Sequence, residues 1–136
     1  MTRPAQIIVI DDEPIVGERL KPFLEKDGHV IEIYSNPHQA LERLKQGRFD
    51  VVVTDIRMGD VNGIQIMEHV VDSAPGSIVV IITGYATIEL ARESLAKGAF
   101  DFIAKPFKLK EIRKTIQRAV EAIEHNDHRG VLGQAR

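Results

Sequence analysis

Residues 6–14 have the sequence QIIVIDDEP, which contains the first decisive pattern of the chain. A run of apolar β-branched residues ends abruptly in Asp11 and Asp12, and Glu13 and Pro14 follow. A short apolar run of this kind predicts a buried strand, and proline is tolerated in the first turn of a helix. The stretch therefore predicts a strand, an acidic turn and the start of a helix.

Similar β-branched runs recur along the chain, with apolar residues at helical spacing between them. The predicted strands are residues 6–10, 30–34, 51–54, 78–82 and 100–104. Three of them contain continuous apolar runs, which favours a parallel sheet covered on both faces. Residues 30–34 alternate with polar residues, so we expect this strand at an edge. Because strand and helix alternate throughout, the expected fold is an α/β, doubly wound parallel sheet of five strands with five helices.

The composition indicates one ordinary domain and excludes several classes of protein. The 136 residues are 43% apolar and 28% charged, and none is Cys, which excludes a disulfide framework and a thiolate zinc site. A net charge of -2 gives no sign of a nucleic-acid-binding surface. No apolar run approaches the roughly 20 residues that a membrane span needs, and the N-terminus is unlike a signal peptide. We therefore expect a cytoplasmic protein.

Polar residues follow the predicted strands where a functional site is expected. In open α/β sheets, ligands bind beyond the carboxyl ends of the strands. The residues at these ends are Asp11, Asp12, Asp55, Thr83 and Lys105. Crowded carboxylates are best held by a hard dication with oxygen ligands, which predicts Mg²⁺. A carboxylate nucleophile, a metal, a hydroxyl and an ammonium are sufficient to form an acyl phosphate, here on Asp55.

Four motifs lie at the ends of the predicted strands: Asp11-Asp12-Glu13, TDIRM at 54–58, Thr83-Gly84 and Lys105-Pro106-Phe107. In these motifs the chain resembles the receiver domain of two-component response regulators. Their order and spacing agree over about residues 5–124, which we assign to the receiver domain, and we expect 125–136 to be a C-terminal tail or linker stub. The stretches ITGYATIE and GAFDFIAKPF are similar to receivers of AAA+ activators that work with the alternative sigma factor, sigma-54.

This resemblance implies a flavodoxin-like strand order of 2-1-3-4-5 and a phosphorylation chemistry. Asp55 would accept a phosphoryl group from a phosphohistidine on a histidine kinase or phosphotransfer protein. The implied Mg²⁺ ligands are Asp11, Asp12, Asp55 and the backbone carbonyl of Arg57. Thr83 and Lys105 would hold the phosphoryl group.

The resemblance also implies a conformational switch. Phe102 matches the switch aromatic, and its rotation would alter the face made by the fourth helix, fifth strand and fifth helix. Arg57 and Tyr85 occupy positions that tune the access of hydrolytic water, and their bulk predicts slow self-dephosphorylation. Gly59 stands where the family usually has proline, which predicts a more mobile loop.

Other interpretations stay open at the level of sequence. Asp11 and Asp12 alone would be helix-capping acids, Thr83 could cap the next helix, and Phe102 could belong to the core. A phosphorylation-independent pseudo-receiver is one alternative. An aspartyl-phosphate phosphohydrolase of the haloacid dehalogenase type is another, although it needs a second Asp where this chain has Arg57.

The expected partners follow from the same resemblance. Residues 125–136 are too few for a helix-turn-helix or an ATPase module. We therefore expect output through a downstream protein, through a homodimer, or through an output domain that this chain lacks. No nucleic acid or membrane is an expected partner.

Overall fold

The computed structural model describes residues 4–58, 61–85 and 87–133. Within these residues, strands and helices alternate as predicted. The strands are β1 (Gln6–Ile10), β2 (Val30–Tyr34), β3 (Val51–Asp55), β4 (Ile78–Thr83) and β5 (Asp101–Ala104). The helices are α1 (Pro14–Glu25), α2 (Pro37–Gln46), α3 (Gly63–Ser73), α4 (Ile88–Ala96) and α5 (Leu109–Gly133).

The strands form one parallel sheet in the order β2-β1-β3-β4-β5. Ile8 pairs with Val52, which pairs with Val79, so the apolar centres of the middle strands are aligned. The predicted order is confirmed, and β2 lies at an edge as its alternating sequence indicated. This order places β1 beside β3, which brings their carboxyl ends together.

The sheet is covered by helices on both faces. On β1, Ile7 and Val9 pack with Leu20 of α1 and Ile112 of α5 in one buried cluster. The intervening Ile8 and Ile10 belong to a second cluster, on the opposite face, together with residues from α2 and α3 such as Ala40 and Met67. A strand that is buried on both faces has no polar side, which explains the continuous apolar runs.

Helix α3 begins in close contact with the end of β3. Asn62 and Gln65 form a reciprocal capping box, and the N–H of Gly63 donates to the carbonyl of Ile56 at 2.8 Å. A Cβ at position 63 would lie 2.1 Å from the carbonyl oxygen of Asp55. Only glycine fits this approach, so α3 fixes the backbone that carries Asp55.

Three details differ from, or lie outside, what the sequence indicated. Helix α5 continues to Gly133, whereas a frayed tail was expected from residue 125; the assignment of 125–136 to a tail or linker stays a prediction. Asp55 and Thr83 are the last residues of their strands, not loop residues. Gly59 lies outside the described residues. Among the described residues, none of the helices combines the length and the apolar composition that a membrane span requires.

Candidate functional site

Three aspartates converge at the carboxyl ends of β1 and β3. Asp11 follows β1 directly and is 2% exposed, Asp55 ends β3 and is 6% exposed, and Asp12 is open to solvent. One ligand oxygen from each lies within 4.8 Å of the others. The sequence predicted this convergence, because neighbouring parallel strands end at the same edge of a sheet.

Lys105, which follows β5, contacts this acidic set through its ammonium group. Its Nζ lies 2.9 Å from Oδ2 of Asp55, 2.8 Å from Oε1 of Glu13 and 2.6 Å from Oδ2 of Asp11. The contacts with Asp55 and Glu13 are hydrogen bonds, whereas the one with Asp11 is an ion pair without hydrogen-bond geometry. The lysine is 14% exposed, so these charges interact in a partly desolvated environment.

Burial and charge together shift the pKa values of Lys105 and Asp11. Burial would lower the pKa of Lys105, but its contacts with the three carboxylates outweigh that effect and raise this pKa well above its ordinary value. Burial raises the pKa of Asp11, while Lys105 and the backbone N–H of Glu13 act in the opposite direction. The lysine is thus firmly cationic and compensates part of the negative charge.

The donor set fits a hard divalent cation. Asp11, Asp12, Glu13 and Asp55 oppose one ammonium, which leaves the site strongly negative. Oδ2 of Asp11 has less than 1 Å² of exposed surface and no hydrogen-bond partner among the described residues. Carboxylate oxygens are the protein ligands that Mg²⁺ prefers, and it keeps several waters. The predicted contribution of the Arg57 carbonyl stays a prediction.

The carboxylate of Asp55 is held in one orientation by its own loop. Its Oδ1 accepts hydrogen bonds from the backbone N–H groups of Ile56 at 2.6 Å and Arg57 at 3.3 Å, and its Oδ2 faces Lys105. The Thr54 hydroxyl donates to the Asp55 carbonyl at 2.9 Å. The bonds to Oδ1 and Oδ2 hold the side chain that the sequence predicts to be the nucleophile, and the Thr54 bond holds its backbone.

Thr83 ends β4, the neighbour of β3, and is fully buried. Its Oγ1 accepts a hydrogen bond from the backbone N–H of Tyr85 at 3.1 Å. The simpler interpretation, that Thr83 caps the next helix, is wrong, because Thr87 caps α4 by accepting from the N–H of Leu90. The Thr83 hydroxyl is therefore available for a role at the sheet edge.

Comparison with known proteins identifies the family. The chain matches the response regulator receiver domain over residues 7–117. It is a member of this family. This signalling domain is similar to the regulatory protein AtoC of Escherichia coli K12, with 34% identity over 89% of this chain and 26% of AtoC. The chain thus spans about a quarter of the length of such curated relatives, which also include the transcriptional regulators ZraR and NtrC.

Solved receiver structures have the same fold. The CheY-like receiver of Methanospirillum hungatei superposes with a TM-score of 0.86 at 26% identity, covering 91% of this chain and 99% of that one. The beryllofluoride-activated NtrC4 receiver dimer gives a TM-score of 0.82 at 30% identity, covering 87% and 98%. The predicted fold and the predicted resemblance to receivers of sigma-54-type activators are both confirmed.

Phe102 lies in β5 of this receiver domain, three residues before Lys105. Its side chain is half-buried and packs against the cluster that α2 and α3 form with the sheet. Its backbone N–H donates to Oδ1 of Asp101 at 2.7 Å. A partly buried aromatic residue can move between packing positions, but its role as a switch stays a prediction.

Two contacts of the site were not evident from the sequence. Glu13 was part of an acidic motif without a role of its own, yet it binds Lys105. Arg57 and Tyr85 were predicted to restrict hydrolytic water by their bulk, but the contact between them was not predicted: the guanidinium of Arg57 lies over the ring of Tyr85. Glu13 directly follows the aspartate pair, which was the only available signal for the first contact.

Proposed function

We propose that this receiver domain accepts a phosphoryl group on Asp55 from a phosphohistidine of a histidine kinase or phosphotransfer protein. The observation that carries the proposal is the geometry around Asp55. Its buried carboxylate pairs with Lys105 at 2.9 Å and lies within 4.8 Å of ligand oxygens of Asp11 and Asp12. A fixed carboxylate beside a fixed ammonium suits nucleophilic attack on a charged group.

The transfer exchanges one bond to phosphorus for another. An Asp55 carboxylate oxygen attacks phosphorus, the P–N bond to the histidine breaks, and the imidazole nitrogen keeps the electron pair. Lys105 compensates the charge of the phosphoryl oxygens, since its ammonium already faces the attacking carboxylate. Mg²⁺ held by Asp11, Asp12 and Asp55 would neutralise further phosphoryl charge and orient the donor.

Phosphorylation is proposed to switch the domain through Thr83. The phosphoryl group adds about -1.5 to -2 charges at neutral pH and accepts strong hydrogen bonds. The Thr83 hydroxyl would turn toward it and give up the bond from the Tyr85 N–H. The vacated space would let Phe102 repack, altering the surface made by α4, β5 and α5.

Self-dephosphorylation is proposed to be slow. Arg57 lies two residues after Asp55, Tyr85 lies two residues after Thr83, and the side chains of Arg57 and Tyr85 contact one another. Their stacked side chains would restrict the approach of water to the acyl phosphate. The domain would thus assist both formation and loss of its own phosphoryl group without acting on free substrates.

The proposed partners are the phosphodonor, a downstream protein or output domain, and a second copy. Two large apolar side chains of α4 are exposed, Ile88 by 69% and Leu95 by 49%, and such residues favour self-association. The similar NtrC4 receiver was solved as a dimer. A cytoplasmic location stays a prediction.

The proposal is tested with phosphoramidate, a small donor with a P–N bond, in the presence of Mg²⁺. We expect one phosphoryl adduct, which peptide mass spectrometry maps to Asp55. The absence of an adduct with phosphoramidate and acetyl phosphate would favour the pseudo-receiver. Sustained release of phosphate from p-nitrophenyl phosphate would favour the phosphohydrolase.

A further inference from the structure

The side chain of Glu13 does not cap helix α1, although Glu13 stands at the start of this helix. It is the N-cap residue of α1, but its side chain accepts no capping hydrogen bond. Glutamate is also not among the preferred N-cap residues, which are Ser, Thr, Asp and Asn. Instead, Oε1 of Glu13 accepts a hydrogen bond from Lys105 Nζ at 2.8 Å.

Glu13 differs from the other two carboxylates that contact Lys105. Its side chain is 62% exposed, compared with 1% for Asp11 and 8% for Asp55. Unlike those two, it is not part of the acidic set whose ligand oxygens lie together. Glu13 therefore contacts the ammonium from the solvent side, where a phosphodonor must approach.

We propose that Glu13 is a positioning residue that competes with the incoming phosphoryl group for Lys105 and thereby slows phosphorylation. An ammonium has three N–H donors, and three carboxylates already face that of Lys105. A phosphoryl oxygen that approaches Lys105 therefore competes with these carboxylates for the ammonium. The exposed Glu13 is the partner that leaves at least cost, because it is rehydrated on release.

Lys105 does not need Glu13 to stay in the site. Without it, the ammonium keeps Asp11 at 2.6 Å and Asp55 at 2.9 Å. Removing Glu13 also removes one negative charge that repels an anionic donor. Competition and repulsion act in the same direction, so loss of Glu13 speeds the reaction.

The inference rests on the proposed function and is tested with the full chain, Mg²⁺ and acetyl phosphate. We expect Glu13→Gln to raise the apparent second-order rate constant of adduct formation about two- to fivefold. This ratio corresponds to the free energy that an exposed ion pair contributes. Glu13→Asp keeps the charge but is one methylene shorter, so it should also react faster than wild type. Glu68→Gln makes the same charge change at an exposed position of α3 and should react like wild type.

A spectroscopic measurement tests the contact independently of the reaction. Without donor or metal, the ¹⁵N resonance of the Lys105 ammonium should move in Glu13→Gln and stay unchanged in Glu68→Gln. An unmoved resonance overturns the inference. A Glu13→Asp variant that reacts like wild type, while Glu13→Gln reacts faster, also overturns it, because repulsion of the donor by the negative charge would then explain the rates without competition for Lys105. Equal rates in wild type and Glu13→Gln overturn this inference alone. No adduct in the wild type overturns the proposed function as well.

Discussion

The guanidinium carbon of Arg57 lies 4.0 Å from the centre of the Tyr85 ring, a cation–π contact. It joins the loop after β3 to the loop after β4. The backbone N–H of Tyr85 also binds Oγ1 of Thr83, and that of Arg57 binds Oδ1 of Asp55. The pair thus connects the two residues on which phosphorylation and switching depend in the proposed mechanism.

We predict that Arg57→Ala and Tyr85→Ala each speed loss of the phosphoryl group about two- to fivefold, since an exposed cation–π contact contributes about 0.5–1 kcal/mol. Each variant removes the same contact, so the double variant should lose phosphate no faster than the quicker single variant. Intact mass after donor removal measures the decay. Arg48→Ala, at the other end of the sheet, is the control; decay at the wild-type rate in the Arg57 and Tyr85 variants would contradict the prediction.

We predict that Gly63→Ala lowers the free energy of unfolding by about 1–3 kcal/mol, because the added methyl would overlap the carbonyl oxygen of Asp55. Urea denaturation followed by circular dichroism measures the change. Gly84→Ala is the matched control, since a Cβ there meets no atom within 4 Å. Equal stabilities of the two variants would show that α3 does not press on the end of β3.

We predict a loss of stability in mild acid that depends on His29. This residue is 4% exposed, and its Nδ1 accepts a hydrogen bond from the N–H of Ala5 at 3.0 Å. Burial lowers its pKa below 6.5, although Asp27 acts in the opposite direction. The unfolded chain therefore takes up the proton at a higher pH than the folded chain. The contribution of neutral His29 to the free energy of unfolding is thus complete above about pH 6.5 and is lost as the pH falls below this value.

The measurement compares urea unfolding of wild type and His29→Asn at about pH 7.5 and about pH 5.5. Wild type should lose more unfolding free energy than the variant, by at most about 1.4 kcal/mol for each pH unit below the unfolded-state pKa. The comparison removes the contribution of carboxylates, which both chains share. The same loss in both chains would mean that His29 does not titrate differently on folding.

We predict that Asp12→Asn weakens Mg²⁺ binding by about tenfold or more, because affinity for this cation depends on the charge of its ligands. Isothermal titration calorimetry measures the affinity. Asp12 is exposed, so the substitution should leave the fold intact. Asp72→Asn, on the exposed face of α3, is the control. Unchanged affinity in Asp12→Asn would place the cation elsewhere.

Sequence periodicity was sufficient for a parallel α/β sheet, whereas the strand order that places β1 beside β3 followed from the resemblance to receiver domains. Continuous apolar runs at 7–10, 51–53 and 78–82 occur because these strands are buried on both faces. Once the strands are parallel, every residue that follows one lies at the same edge. Asp11, Asp55 and Lys105 could therefore be placed together without knowledge of any side-chain conformation.

Two features could not be predicted in this way: the contact partners of long side chains, and the residue at which the last helix ends. Glu13 and Arg57 have several rotatable bonds, so their partners depend on packing that no spacing reveals. Helix α5 continues beyond the apolar pattern of residues 109–123, since extending a formed helix adds one hydrogen bond per residue without a new nucleus.

The phosphoacceptor role of Asp55 is tested most directly by the intact mass of the chain after incubation with acetyl phosphate and Mg²⁺. An Asp55 oxygen would attack phosphorus and acetate would leave, so we expect the added mass of one phosphoryl group in wild type. We expect no addition in Asp55→Asn or in the presence of a chelator. An adduct of the same yield in Asp55→Asn would contradict the assignment of Asp55 as the acceptor.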